Sequence, residues 1–395
     1  MNSHHPANDR SADILLSDPW LVTPAFVYDE RVMAAKLRAA ATIREATGCR
    51  VLYALKPFSI VPALRMMAPG LDGLAASSLF EAMLARDVLG ARGSVHVTTP
   101  GFRPDEIRAL DGLCDYVAFN SLSQWRRFGG QMPGRGRCGL RVNPHLSLVK
   151  DDRYNPCRKA SKLGVPIDDL ADLAEHAPAS LNGLGGLHFH TNADSESFDP
   201  WLATVERVDE RLGAVLSRVD WVNLGGGYLF DRPADLAPLA HAVGLLRSRY
   251  GVTVFIEPGA GFVREAGRIV ASVIDRFTSD GHAIAVLDTT VGHMPEVFEY
   301  QFEPEILGEA EKAEHTYTLA GCSCLAGDVF GEYSFREPLE IGSRVVFTEA
   351  GAYTTVKSHM FNGINLPAIY ALTASGTLER KRAYTYRDFL SRCGG

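Results

Sequence analysis

The strongest constraint in this sequence is a recurrence. Short apolar, β-rich runs at Val51–Leu55, Gly73–Ala76, Val95–Thr98, Tyr116–Phe119, Cys138–Val142, Gly185–Phe189, Trp221–Leu224 and Thr253–Ile256 are separated by stretches of helical periodicity. The first five begin at residues 51, 73, 95, 116 and 138, one strand plus one helix apart, and the later gaps are longer. Strands alternating with helices imply a parallel sheet, because a parallel pair needs a long crossover that a helix supplies. Eight such units predict a (β/α)8 barrel, an α/β fold. Ser78-Leu79-Phe80-Glu81 reads as a capping box, and Asp29-Glu30 puts acid at the start of a helix over Val32–Ile43. After about residue 270 the helical spacing stops. Ile269–Ile274, Ala283–Asp288, Thr316–Ala320, Arg344–Glu349 and Ala352–Val356 then read as strands between Gly and Pro turns. The expected organisation is a barrel over residues 22–270, a β-rich domain over 271–395, and an N-terminal extension, residues 1–21, that could pack on the β domain.

Composition narrows the partners. The 40 Lys+Arg and 47 Asp+Glu leave a charge of -7 with no long basic block, so there is no electrostatic footprint for nucleic acid or an anionic membrane. With 46% hydrophobic and 22% charged residues the chain can bury a large core, and a small-molecule substrate is the expectation. No run approaches the ~18 apolar residues of a membrane span, and the first residues lack the pattern of a secretory signal. Seven cysteines in no framework spacing suit free thiols in a reducing cytoplasm, where the protein is expected.

In a (β/α)8 barrel the catalytic groups come from the C-terminal ends of the strands. The first run ends in Tyr53-Ala54-Leu55-Lys56-Pro57, which aims an amine at the barrel mouth. A desolvated lysine there is nucleophilic toward a carbonyl, and a lysine snorkelling at a strand end is the ordinary alternative. The sixth run ends in His188-Phe189-His190-Thr191-Asn192. Alternation sends both imidazoles to one side, to stack on a planar cofactor, bind a metal or fill core. The seventh ends in Asn223-Leu224-Gly225-Gly226-Gly227-Tyr228, either a plain turn or a backbone able to present N–H groups to a phosphate. The eighth ends in Ile256-Glu257-Pro258-Gly259, a carboxylate before a rigid turn. Together, a lysine, a stacking histidine, a glycine-rich anion loop and a carboxylate are the set that pyridoxal 5'-phosphate (PLP) requires. Glu257 facing the ring nitrogen would keep it protonated, an electron sink suited to loss of CO2 more than to racemisation.

Three downstream motifs complete a pattern: Gly321-Cys322-Ser323-Cys324-Leu325-Ala326-Gly327-Asp328, Glu349-Ala350-Gly351-Ala352-Tyr353 and Phe361-Asn362-Gly363. From about Thr23 to Leu372 the chain resembles the fold-type III PLP-dependent decarboxylases, the group of ornithine, diaminopimelate and carboxynorspermidine decarboxylases. The resemblance implies an alanine-racemase-like architecture, a barrel joined to a C-terminal β domain of sandwich or barrel-like form. It also implies a homodimer with active sites shared head to tail. By that resemblance Lys56 is the Schiff-base lysine, His190 stacks on the ring, Gly225, Gly226 and Gly227 bind phosphate, and Glu257 pairs with the pyridine nitrogen. Cys324 would enter the partner subunit's site and return the proton, Asp328 would contact a substrate amine, Tyr353 would touch the phosphate, and Phe361-Asn362-Gly363 would close the domain. A metal site at Cys322 and Cys324 is the rival reading, but no second pair has suitable spacing, and no metal is expected.

Diaminopimelate decarboxylases carry an acid after the loop cysteine and an arginine after Glu-Pro-Gly, where this chain has Leu325 and Ala260. Ornithine-type enzymes share that acid. The segments Cys324–Tyr333, Tyr154-Asn155-Pro156-Cys157 and Met360–Ile364 are most similar to carboxynorspermidine/carboxyspermidine decarboxylases, so polyamine biosynthesis is the expected role. Three features depart from that subgroup: Thr191–Glu196 in place of a Cys-Glu pair, Ala260 in place of an acid, and the added cations Arg158 and Lys159. Asp194 or Glu196 could supply the missing acid. If the cations govern, the substrate is instead a carboxylate-bearing conjugate from siderophore or other specialised metabolism. A non-catalytic PLP-binding protein is opposed by the presence of Lys56, Glu257 and Cys324 together.

Overall fold

The computed structural model describes residues 9–132, 137–146, 148–230, 235–310 and 313–395. Its contacts divide the chain into two compact units, Ala34–Phe262, and the residues up to Met33 together with Val263–Gly395. Strand β1 (Ala25–Asp29) precedes the barrel strands β2 (Arg50–Ala54), β3 (Gly73–Ala76), β4 (Ser94–Thr99), β5 (Tyr116–Phe119) and β6 (Cys138–Asn143). The two-residue β7 (Val165–Pro166), then β8 (Gly186–His188), β9 (Trp221–Asn223) and β10 (Thr253–Ile256), follow.

All eight expected barrel strands are present. They pair in the order β5-β4-β3-β2-β10-β9-β8-β6, and a β5–β6 pairing closes the ring. The pairings are parallel, as crossover helices require, and β7 merely extends β6 outside the ring. Their residues are almost wholly buried, which is why the runs read as continuous apolar stretches. Aromatic rings plug the interior: His96 stacks on Tyr116 at 4.4 Å and meets Phe255 edge-on at 4.6 Å, and Tyr116 meets Trp221 at 5.4 Å. A packed interior leaves the strand ends as the place for chemistry.

The other unit holds a mixed sheet of β1 with β11 (Gly267–Ser279), β12 (His282–Leu287), β13 (His315–Ala320), β14 (Val329–Phe335), β15 (Arg344–Phe347), β16 (Ala368–Leu372) and β17 (Leu378–Arg382). Its order is β14-β13-β12-β11-β1-β16-β17, with β15 also on β11. The expected boundaries are corrected here. Residues 25–29 do not belong to a barrel beginning at residue 22: β1 lies in the sheet, antiparallel to β11 (Ala25 opposite Val270) and parallel to β16 (Ala25 opposite Ala368). The sheet likewise claims 267–270. The stretch before β1 is fastened to the same unit. Leu15 and Leu21 pack with Val27, Val270, Val346 and Tyr370, and Arg344 donates to the carbonyl oxygens of Leu15, Asp18 and Leu21 at 3.0, 2.8 and 2.8 Å.

Ala352–Val356, expected as a strand, is a series of turns. Glu349 and Tyr353 have φ of 51° and 58°, a left-handed backbone that cannot continue a ladder. No helix among the described residues is long and apolar enough to cross a membrane, and all seven cysteines are free.

Candidate active site

Strands β2, β10, β9 and β8 are consecutive neighbours around the ring, and the residues that leave their C-terminal ends meet at one mouth. Lys56 follows β2 and is exposed, so the desolvation expected from its position is absent in the chain itself. The Ala54 N–H donates to the Pro258 carbonyl at 3.2 Å, tying the lysine segment to the turn after Glu257. A carboxylate comes within electrostatic reach of Lys56. Glu81 stands in the first turn of the helix Leu79–Leu89, where burial raises its pKa, while the Ser77 N–H at 2.6 Å and the charge of Lys56 oppose the rise. Its N–H donates to Ser78 Oγ at 3.2 Å, but its carboxylate takes the Ser77 amide, so the capping box is one residue out of the expected register.

Glu257 is the best-defended charge in the barrel. Its Oε1 lies 2.9 Å from His188 Nε2 and its Oε2 accepts from Asn223 Nδ2 at 3.0 Å, all three residues buried. Burial alone would raise its pKa, yet the His188 ring, the nearby His190 and the Asn223 amide bring it down to about 2. Asn223 then reaches the glycine turn, its Oδ1 accepting the Gly225 N–H at 2.8 Å, and the Glu257 N–H donates to the Gly225 carbonyl at 2.9 Å. The Gly226 N–H donates to His190 Nδ1 at 3.2 Å. Burial pushes the His190 pKa well below its ordinary 6.5, and the charges of Lys56 and Arg141 push the same way, so the ring is neutral with Nδ1 as acceptor. Carboxylate, amide, glycine turn and imidazole form one connected network.

The network also states why the turn must be glycine. Gly225 has φ of +73°, and a Cβ on Gly226 would overlap the Glu257 carbonyl oxygen and stand 3.3 Å from Pro258 Cα. Two of the three amides expected to face an anion are thus committed within the protein, at Asn223 and His190. The two histidines, indistinguishable by alternation, separate in role: His188 lies inside the barrel on Glu257, and His190 stands beyond β8 on the glycine turn. Asn223 carries a link that no sequence signal marked, although it sits two residues before the glycine run.

The remaining candidates fall elsewhere. Cys157 backs onto this site, its Sγ 3.9 Å from the His190 carbonyl, whereas Arg158 and Lys159 beyond it are exposed. Asp194 is exposed on a left-handed backbone of φ 51°, and the partly buried Ala260 opens the short helix Ala260–Val263. In the sheet unit Cys324 is exposed and its N–H donates to Asn362 Oδ1 at 2.9 Å. Asp328, expected as an amine contact, is 3% exposed, and its two oxygens accept the N–H groups of Val291 at 2.7 Å and Ser323 at 2.9 Å. It braces the Cys324 loop from within. Tyr353 lines a cavity of about 340 Å³ with Arg264, Glu296, Glu303, Glu305 and Glu349.

Comparison with known proteins agrees with this geometry. The profile of the pyridoxal-dependent decarboxylase C-terminal sheet domain matches residues 25–351. The chain is 34% identical over 95% of its length to a carboxyaminopropylagmatine decarboxylase of Synechocystis, covering 96% of that protein. It is 34% identical over 94% of its length to a carboxynorspermidine/carboxyspermidine decarboxylase of Campylobacter jejuni, covering 98% of it. The crystal structure of Campylobacter jejuni carboxynorspermidine decarboxylase complexed with norspermidine superposes with a TM-score of 0.85 at 32% identity, over 94% of this chain and 100% of that one. The side chains at the mouth fit the cofactor this family uses: an exposed amine, a carboxylate held ionised in the barrel, and a neutral imidazole on a glycine turn. The chain belongs to the fold-type III pyridoxal-dependent decarboxylases, carboxy-lyases that work with PLP.

Proposed function

We propose that the protein removes the α-carboxylate of carboxynorspermidine or carboxyspermidine to give norspermidine or spermidine. The observation that carries this reading is the full-length similarity, at 32–34% identity, to decarboxylases of carboxylated polyamine precursors, with the barrel-mouth network present in this chain. When bound, PLP supplies an electron sink for the pair left behind as CO2 departs. Lys56 would be the amine that holds the cofactor, and it is exposed where an incoming substrate amine can reach it. The glycine turn at Gly225–Gly227 receives the phosphate, where no Cβ keeps the backbone at a distance. His190, neutral and anchored at Nδ1, would support the cofactor ring without adding charge. Glu257, kept ionised, holds the proton on the ring nitrogen. Cys324, in the loop braced by Asp328 and Asn362, returns a proton to the α-carbon in the site of a second copy of the chain, so the working form is a homodimer. Free thiols at all seven cysteines suit a reducing cytoplasm.

A second substrate is favoured by one observation: the Synechocystis relative acts on carboxyaminopropylagmatine, a substrate with a guanidine end. CO2 release by the PLP-loaded enzyme should be measured on carboxynorspermidine, carboxyspermidine, carboxyaminopropylagmatine, meso-diaminopimelate, ornithine and a citrate-conjugated diamino acid. Turnover of the first two supports the proposal. Turnover confined to carboxyaminopropylagmatine moves the assignment to the agmatine branch, and turnover confined to the citrate conjugate makes Arg158 and Lys159 the specificity determinants.

A further inference from the structure

We infer that His188 is a positioning residue for the reaction: it fixes the plane and the ionisation of Glu257, and through it the protonation of the cofactor's ring nitrogen. The inference rests on the proposed pairing of Glu257 with that nitrogen. A buried imidazole is costly unless its nitrogens are bonded, and here the ring makes a single hydrogen bond. Nε2 meets Glu257 Oε1 at 2.9 Å, and Nδ1 has no partner, so the hydrogen bonding of the ring is committed to the carboxylate. Asn223 holds the opposite oxygen at 3.0 Å and is itself tethered to Gly225, so the carboxylate cannot rotate without breaking two bonds. A carboxylate pinned at both oxygens presents one fixed edge to whatever it binds.

Losing His188 would then have two effects. The carboxylate would lose a donor in a buried site, where its proton affinity rises, and it would be free to swing. A carboxylate that itself takes up a proton, or that swings away, no longer offers the ring nitrogen a fixed negative partner, while the lysine, the glycine turn and the substrate-binding groups stay in place. The other charged or titratable groups around Glu257 are Arg141, His190 and His96, and all remain when His188 alone is changed.

The test compares His188→Gln, His188→Leu, His188→Asn, Glu257→Gln and the double variant H188N/E257Q. Gln can place its Nε2 amide donor near the carboxylate in place of the His188 Nε2, and Asn is polar but too short to reach it, which covers the case in which H188L does not fold. Three readouts are taken: kcat and KM, the pH at which the cofactor absorbance changes, and the PLP dissociation constant of the apoenzyme. The expected result is a kcat about 10- to 100-fold lower in H188N, with KM within about twofold, an altered spectral pH profile, and partial rescue in H188Q. The double variant should be no worse than E257Q alone, because both changes remove one function. Wild-type kcat and spectrum in H188N beside a crippled E257Q would overturn the inference and leave the site reading intact. Multiplying losses in the double variant would also overturn it. A wild-type E257Q would instead refute the pairing of Glu257 with the ring nitrogen, and the inference with it.

Discussion

Replacing Gly226 with Ala tests the packing of the cofactor turn with a single methyl group. The backbone at Gly226 is not left-handed, so the penalty is steric: the added Cβ overlaps the Glu257 carbonyl oxygen and sits 3.0 Å from the Glu257 carbonyl carbon. Both obstacles are backbone, which cannot rotate away as a side-chain end can. Relief requires the turn to lift from the end of β10, and the bond from the Glu257 N–H to the Gly225 carbonyl, 2.9 Å, goes with it. Overpacking costs about 1–3 kcal/mol and the lost bond about 1 kcal/mol, together roughly 3 kcal/mol. In a barrel unit of this size that corresponds to a fall in Tm of roughly 6–12 °C. Lifting the turn also drags Asn223 and the Gly226 N–H from their partners, so PLP affinity should fall by at least ~10-fold at the same time. Differential scanning fluorimetry of the apoenzyme and fluorescence titration with PLP read the two effects separately. A G226A protein with unchanged Tm and PLP affinity within twofold would refute the claim that the turn is pinned to β10.

Other perturbations have defined outcomes. Lys56→Ala should abolish turnover and the band near ~420 nm of lysine-linked PLP, with spectrum and CO2 release measured on the same preparation. Cys324→Ala should lower kcat by about 10²- to 10⁴-fold with little change in KM, the signature of a lost proton donor. His96, buried against Tyr116 and Phe255, has its pKa lowered from 6.5 to about 3, so the unfolded chain takes up a proton that the folded one refuses. Stability should therefore drop as pH falls from 6.5 toward 3, by up to about 1.4 kcal/mol per pH unit for this group, and His96→Gln should flatten that limb in urea titrations. Glu257 has the usual carboxylate sign: its contribution is present above 4.5 and lost as pH falls toward 2, so E257Q should remove the slope of stability with pH between 4.5 and 2, measured in the same urea titrations. Charge reversal at the exposed Arg158 and Lys159 should leave KM for a triamine precursor unchanged or lower and raise it for an anionic conjugate, measured by steady-state CO2 release.

The barrel was legible because burial on both faces leaves each parallel strand as an uninterrupted apolar run, and the helix between runs sets a regular spacing. The same regularity brings Lys56, His190, Gly225 and Glu257 to neighbouring strand ends, since each follows a run directly. What stayed hidden depends on contacts between distant segments. Ala25–Asp29 carries no local sign of pairing with Gly267–Val270 and Ala368–Leu372, hundreds of residues away, and by sequence alone reads as part of the barrel that follows it. Ala352–Val356 has strand composition but left-handed residues at Glu349 and Tyr353, a backbone choice that composition does not encode. His188 and His190 share a face of one run, and only the partners across the barrel, Glu257 for one and the Gly226 amide for the other, assign them different work. Asp328 accepts two backbone amides, of Val291 and Ser323, a link between segments that its place in the motif does not reveal.

The most direct measurement is the ratio of kcat/KM for carboxynorspermidine to that for meso-diaminopimelate, with the amine product identified by mass spectrometry. The expected result is a ratio of at least about 10³, worth some 4 kcal/mol of transition-state discrimination, and norspermidine as product. A ratio near one, or CO2 released from neither compound, would contradict the assignment of this barrel mouth to a carboxylated triamine.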